Sequence, residues 1–261
     1  MPLIELPTHR LHYRIEGRDD APWLTFCNSL GTDLHMWDPQ VEALAPHYRV
    51  LRYDRRGHGQ SDTSPGPYEV ADLGRDVLAL WDALGVERSH FCGLSIGGLT
   101  GQWLGLNAGA RLQRLVVCST AAKIGTAETW AQRIRQVQQD GLTALVDGTV
   151  QRWFSPGFIA AHPLVIDEVV TSFLETSREG YIGGCHAVAQ ADFRHALPGI
   201  AAPLLAIAGD DDPVCPPHEL QYVANNVAAG HFCKVRGRHL CNLESPQDFN
   251  RVLQDFLQAG A

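Results

Sequence analysis

Residues 90–107 read His90-Phe91-Cys92-Gly93-Leu94-Ser95-Ile96-Gly97-Gly98-Leu99-Thr100-Gly101-Gln102-Trp103-Leu104-Gly105-Leu106-Asn107. A short apolar run (90–94) gives way to a helix-type pattern (96–107), and Ser95 stands at the junction. The pattern Gly93-x-Ser95-x-Gly97 has a mechanical meaning in that setting. The serine sits on a tight strand-to-helix turn, and the flanking glycines relieve crowding around a strained backbone. The same turn leaves the N–H of Ile96 free at a helix N-terminus, aimed at developing negative charge. Ser95 is therefore the candidate nucleophile.

Outward from this turn, further short apolar runs occupy 23–28, 49–53, 112–119, 204–208 and 231–235. They are apolar almost throughout, as parallel strands covered on both faces should be. Segments 4–6 and 11–15 read as an antiparallel hairpin edge around residues 7–10. Helical periodicity fills the gaps. Val70, Leu73, Val77, Leu80, Trp81 and Leu84 share one face, with Gly85 as the stop. Near the end, Ser245 is a natural N-cap, Pro246 suits the first helical position, and Phe249, Val252, Leu253 and Phe256 form the stripe. The alternation breaks between about 121 and 198, where only helical stretches occur (126–139, 142–154, 164–176, 178–190). The reading is an α/β chain whose mostly parallel eight-stranded sheet is flanked by helices. Residues 1–120 and 199–261 form the core domain, and an α-helical cap at 121–198 is inserted after the sixth strand.

Composition narrows the function classes. The chain has 261 residues, 45% hydrophobic and 19% charged, with a net charge of −8. That is enough apolar content for a substantial core and too little charge for disorder. With no block of about five basic residues, a nucleic-acid partner is disfavoured. No run approaches the roughly 18 apolar residues of a membrane span, and the start lacks signal-peptide character, so a cytoplasmic protein is expected. The seven cysteines (27, 92, 118, 185, 215, 233, 241) are odd in number and lack C-x-x-C spacing. Reduced core thiols are the reading, with Cys27, Cys92 and Cys118 inside strands. There is no dinucleotide fingerprint and no P-loop. His231, Cys233, His239 and Cys241 also lack metal-ligand spacing, so no metal site is expected.

A serine hydroxyl needs a base, and the base needs an orienting acid. Past the run 204–208 comes Gly209-Asp210-Asp211-Asp212-Pro213, and past 231–235 comes Gly237-Arg238-His239. Both lie just beyond the carboxyl ends of strands, where α/β sheets place their sites. His239 is the candidate base, and one of the three aspartates is the acid. Tyr53-Asp54-Arg55-Arg56-Gly57-His58-Gly59-Gln60-Ser61 holds no phosphate cradle, and His58 is expected to serve a tight loop at a strand end.

The order of these motifs resembles the α/β-hydrolase superfamily across essentially the whole chain. More narrowly, Asn28-Ser29-Leu30-Gly31-Thr32-Asp33 with Met36-Trp37, Trp130-Ala131-Gln132-Arg133-Ile134, and Asp212-Pro213-Val214-Cys215-Pro216-Pro217 are similar to 3-oxoadipate enol-lactonases of aromatic catabolism. The resemblance implies an α/β-hydrolase fold with Ser95 as nucleophile and His239 as base. It implies Asp212 as acid, with Asp210 the runner-up. The backbone N–H groups of Leu30 and Ile96 would form the oxyanion hole. Cys215 departs from the Thr or Ala often found in that family.

The implied substrate is a small anionic lactone, hydrolysed in the β-ketoadipate pathway through an acyl-enzyme, with no cofactor. The protein is acidic overall, so a substrate carboxylate would need local recognition. Arg133, one turn after Trp130, can supply a bidentate partner while Trp130 packs on the ring. A carboxylesterase or cofactor-free perhydrolase would keep the same three residues and prefer neutral esters. A non-catalytic small-molecule binding protein of the same fold would be marked by loss of one of them.

Overall fold

The computed structural model describes residues 2–259. Its eight strands are β1 (Leu3–Glu5), β2 (Arg10–Gly17), β3 (Trp23–Cys27), β4 (Arg49–Tyr53), β5 (Ser89–Leu94), β6 (Leu112–Cys118), β7 (Leu204–Gly209) and β8 (Gly230–Val235). They form one sheet in the order β1-β2-β4-β3-β5-β6-β7-β8. The β1–β2 and β2–β4 pairs are antiparallel and every other pair is parallel.

Alternation along the strands explains why the sheet needs cover on both sides. Leu24, Phe26, Val50, Cys92, Leu94, Val116, Cys118, Leu205 and Ile207 enter one core layer. Cys27, Leu51, Tyr53, Phe91, Leu115, Val117, Leu204 and Ala206 enter the other. The helices α1 (Asp38–Leu44), α2 (Val70–Ala83) and α3 (Ile96–Asn107) fall between the early strands. After β7 come α9 (Pro217–Asn225), α10 (Cys241–Glu244) and α11 (Pro246–Gln258). Thr25 and Ser89, buried on adjacent strands, are paired: Thr25 Oγ1 and Ser89 Oγ lie 2.9 Å apart, and the Trp81 indole N–H donates to Thr25 Oγ1 at 2.9 Å. All seven cysteines are free, and Cys27, Cys92 and Cys118 are buried in the strands, as read from the sequence.

The strandless stretch holds α4 (Ala127–Asp140), α5 (Val146–Trp153), α6 (Pro156–Ala161), α7 (Pro163–Glu175) and α8 (Arg178–Gln190), a helical cap after the sixth strand. The single helix expected at 142–154 is instead a 3₁₀ turn, Thr143–Leu145, followed by α5. The short helices α1, α6 and α9 escape the periodicity because they have six to nine residues, too few turns to display a stripe. Each carries proline in its first turn, the one signal that marks them. Among the described residues no helix is long and apolar enough to cross a membrane.

At the amino end of β5, away from Ser95, His90 is 7% exposed and its Nδ1 has no hydrogen-bond partner among the described residues. Burial, then the charges of Arg114 and Arg88, push it down from 6.5 to about 4. The unfolded chain binds this proton near pH 6.5 and the folded chain does not. Stability is therefore complete above that pH and declines as pH falls towards 4, by at most about 3 kcal/mol. Urea denaturation of a His90→Phe variant is expected to show a shallower decline over pH 6.5 to 4 than the parent. An unchanged slope would remove His90 from the acid response.

Candidate active site

The reversal of strand order places the site. The chain leaves β3 towards β4 on one side, and β5 pairs with β3 on the other, so the loops leaving β3 and β5 open a crevice. Their parallel register sets Cys27 beside Gly93, which brings residues 28–32 alongside the Ser95 turn.

Ser95 has φ 59° and ψ −117°, a left-handed conformation that costs a non-glycine residue about 1–3 kcal/mol. The surroundings hold it there. Ser95 N–H donates to the Cys118 carbonyl at 2.9 Å, and Thr120 Oγ1 donates to the Ser95 carbonyl at 2.8 Å. The flanking glycines are steric necessities: a Cβ on Gly93 would lie 2.1 Å from the Gly97 carbonyl oxygen, and one on Gly97 would lie 2.3 Å from that of Cys27. Ser95 itself is 8% exposed.

The three consecutive aspartates have separate partners. Asp210 Oδ1 accepts the Gly237 N–H at 2.9 Å, joining the loops after β7 and β8. Asp211 pairs with Arg238 at 2.8 Å on the surface. Asp212 is 3% exposed, and its Oδ2 lies 2.9 Å from Nδ1 of His239, itself 2% exposed. Asp212 Oδ1 accepts the N–H groups of Val214 (2.8 Å) and Cys215 (3.1 Å). With the carboxylate against it, His239 carries its proton on Nδ1 and leaves Nε2 as the basic edge. The Cys215 thiol stands in the same buried group, with ligand atoms of Asp212, Cys215 and His239 within 4.8 Å of one another. Burial, then Asp212, push the thiol well above its ordinary range, and both Asp212 oxygens already accept hydrogen bonds.

The Asn28-Ser29-Leu30-Gly31 loop is braced by the residues that accompany it in sequence. The Asn28 side chain accepts from the Trp37 indole at 3.0 Å and donates to the Tyr53 carbonyl at 3.0 Å. Met36 Sδ accepts from Ser29 N–H at 3.3 Å and lies 3.0 Å from Thr32 Oγ1. Among the described residues, neither Leu30 N–H nor Ile96 N–H has an acceptor, which leaves both free for a ligand oxygen.

In the cap, Trp130 and Arg133 part company. The Trp130 indole N–H donates to the Ile124 carbonyl at 2.7 Å. Arg133 donates through Nε to Tyr181 Oη at 2.8 Å and through Nη2 to Thr149 Oγ1 at 3.2 Å. Arg152, which sequence reasoning passed over, reaches the same Thr149 hydroxyl at 3.4 Å. Both arginines line a groove of about 340 Å³, with Thr129, Gln132, Gln136 and Gly148 among its walls. Among the described residues neither guanidinium is in an ion pair, and burial, then Arg133, push Arg152 below its ordinary value. The spacing Thr149-x-x-Arg152, one helical turn, was the available signal. The cap is tied to the His239 loop through Glu244, which accepts from Ser155 and from the Arg238 N–H, and through Leu240 N–H on the Trp153 carbonyl at 3.1 Å.

Sheet order, the strained serine turn between β5 and α3, and the inserted cap together define a fold of the α/β-hydrolase type. The family model of the alpha/beta hydrolase fold matches residues 22–161. The chain is 41% identical over 244 residues to 3-oxoadipate enol-lactonase 2 of Acinetobacter baylyi, covering 94% of this chain and 91% of that protein. It is also 41% identical to enol-lactonase 1 of the same organism, over 95% of this chain and 93% of that one. Among solved structures, the enol-lactonase from Burkholderia xenovorans LB400 superposes with a TM-score of 0.97 at 41% identity, covering 98% of this chain and 99% of that one. The chain belongs to the 3-oxoadipate enol-lactonase family of the α/β hydrolases. It is an enzyme acting on ester bonds.

Proposed function

We propose that this chain hydrolyses 3-oxoadipate enol-lactone to 3-oxoadipate in the β-ketoadipate pathway, by a Ser95–His239–Asp212 acyl-enzyme mechanism in the cytoplasm. The substrate rests on 41% identity to enol-lactonases over 94% of the chain. The chemistry draws support from His239 held at 2.9 Å by Asp212 and from the strained turn that carries Ser95. His239 Nε2 takes the hydroxyl proton as Ser95 Oγ attacks the ring carbonyl. The resulting oxyanion is received by the N–H groups of Leu30 and Ile96. Collapse breaks the ring C–O bond and expels an enolate, which takes from His239 Nε2 the proton received from Ser95, becoming the ketone and leaving His239 neutral. Water, deprotonated by His239, then attacks the acyl-serine and frees the second carboxylate and Ser95. None of these steps calls on a metal or organic cofactor.

The cap supplies what an anionic lactone needs in a protein of net charge −8. Two guanidinium groups share the Thr149 hydroxyl and, among the described residues, have no carboxylate partner of their own. In this reading Arg133, supported by Arg152, receives the lactone's carboxylate. Arg133→Ala is expected to raise KM for the lactone about 10- to 100-fold and to leave KM for p-nitrophenyl acetate within about twofold. Equal effects on both substrates would separate Arg133 from carboxylate recognition.

The deciding experiment follows loss of the ultraviolet absorbance of 3-oxoadipate enol-lactone beside release of p-nitrophenol from p-nitrophenyl acetate. A kcat/KM above about 10⁵ M⁻¹s⁻¹ for the lactone, with weak ester turnover, is expected. The reverse ranking would reassign the enzyme to carboxylesters and leave the catalytic residues standing.

A further inference from the structure

The Asp54–Ser61 segment, which the proposed chemistry does not use, contains a charge with no carboxylate beside it. Arg55 is 1% exposed, and its guanidinium forms no ion pair among the described residues. Asp54 is adjacent in sequence, but its carboxylate is committed to His12 (2.6 Å), Leu34 N–H (2.8 Å) and Gln60 N–H (2.9 Å). Burying an uncompensated charge costs several kcal/mol, so the groups that Arg55 does meet deserve a reason. Nη1 donates to the Asn28 carbonyl at 3.0 Å, Nη2 donates to the Ser29 carbonyl at 3.1 Å, and Nη2 also lies 3.0 Å from His58 Nε2.

We infer that Arg55, with His58, is a positioning residue that aims the Leu30 N–H into the oxyanion hole; this rests on the reading of Leu30 as an oxyanion donor. The reason is peptide planarity. The Ser29 carbonyl and the Leu30 N–H belong to one trans peptide and point in opposite directions. A guanidinium holding the carbonyl on one side therefore holds the N–H out on the other. Thr32 assists, donating to the same carbonyl through Oγ1 at 3.0 Å and through its N–H at 3.4 Å. The next peptide is held from the opposite end, because Gly31 N–H donates to His58 Nε2 at 3.0 Å.

His58 can accept there because of its tautomer. Nδ1–H donates to the Arg56 carbonyl at 3.1 Å, leaving Nε2 as acceptor for both Gly31 N–H and Arg55 Nη2. Successive peptides of the loop are thus fixed before substrate arrives, which is the preorganisation an oxyanion hole requires. The fork geometry matters as much as the charge, since two carbonyls are held at once. Lysine has donors enough but lacks the rigid planar fork that meets two carbonyls and His58 Nε2 at their fixed spacing.

The test compares Arg55→Lys, His58→Leu and His58→Gln with the parent, counting active sites by burst titration and hydrolysing p-nitrophenyl acetate and the lactone. Affinity for a small alkylboronic acid, whose serine adduct carries an anionic tetrahedral oxygen, is measured by calorimetry. Arg55→Lys and His58→Leu are expected to lower kcat per titrated site about 10- to 100-fold with KM within about twofold, and to weaken the boronate by a similar factor. Glutamine, which can still accept the Gly31 N–H, is expected to recover most of that loss. A kcat per site within about twofold of the parent in Arg55→Lys, or a lowered Tm with unchanged kcat, would overturn the inference. Should Arg55→Lys not fold, equal kcat in the two His58 variants would overturn it instead. The neutral ester and the boronate make no demand on lactone recognition. A failed substrate assignment therefore shows in the lactone rates alone, and a failed nucleophile shows in Ser95→Ala.

Discussion

Ser95→Ala is expected to lower kcat for the lactone by about 10⁴-fold or more while leaving the fold and its Tm close to the parent's. The loss is large because the proposed acyl-enzyme has no other oxygen to form on, and His239 would have only water to activate. The fold should survive because the substitution removes one hydroxyl and keeps the backbone. Alanine suffers the same left-handed strain at φ 59°, and the hydrogen bonds that hold the turn, Ser95 N–H to Cys118 and Thr120 Oγ1 to the residue 95 carbonyl, involve no Ser95 side-chain atom. Single-turnover kinetics beside a thermal melt make the measurement. Turnover within about tenfold of the parent would end the assignment of Ser95 as nucleophile.

The second large effect separates neighbouring residues of one loop. Asp212→Asn is expected to lower kcat by about 10⁴-fold, whereas Asp210→Asn should stay within about threefold of the parent. Asp212 Oδ1 is committed to the N–H groups of Val214 and Cys215. An asparagine would keep its carbonyl oxygen there and turn its NH₂ towards His239 Nδ1. The imidazole must then accept at Nδ1 and carry its proton on Nε2, where it can no longer take one from Ser95. At 210 the demand is only for an acceptor for Gly237 N–H, which an asparagine oxygen meets equally well. Comparable losses in both variants would point to general damage of the loop and away from a tautomer-holding carboxylate at 212.

Some of the site is local and therefore legible. A serine between Gly93 and Gly97 at the end of an apolar run is a steric statement about one turn. The structure repeats it atom for atom, with the Gly97 and Cys27 carbonyls where Cβ atoms would stand. The strands were readable because burial on both faces leaves few polar residues over five or six positions, one in β3, two in β5 and none in β7. The Asn28–Trp37 pattern was readable as a set, since its members brace one another.

The amino-acid order alone thus determined the class of sheet, the serine turn, the place of the cap and the two loops that carry Asp212 and His239. All of these follow from periodicity and sterics acting within a few residues. Which aspartate meets His239, where Trp130 and Arg133 turn, that Arg152 joins Arg133 on Thr149, and that Arg55 grips the carbonyls of Asn28 and Ser29 were decided only by the tertiary structure. The contacts of Asp212 with His239, of Arg133 with Tyr181 and Thr149, and of Arg55 with Asn28 and Ser29 join residues brought together by strand register or helix packing, at 2.8 to 3.2 Å. A hydrogen bond is made or lost over less than an ångström. Local sequence preferences act on the backbone conformation of their own segment, and tolerances that fine arise only when the sheet and cap have closed.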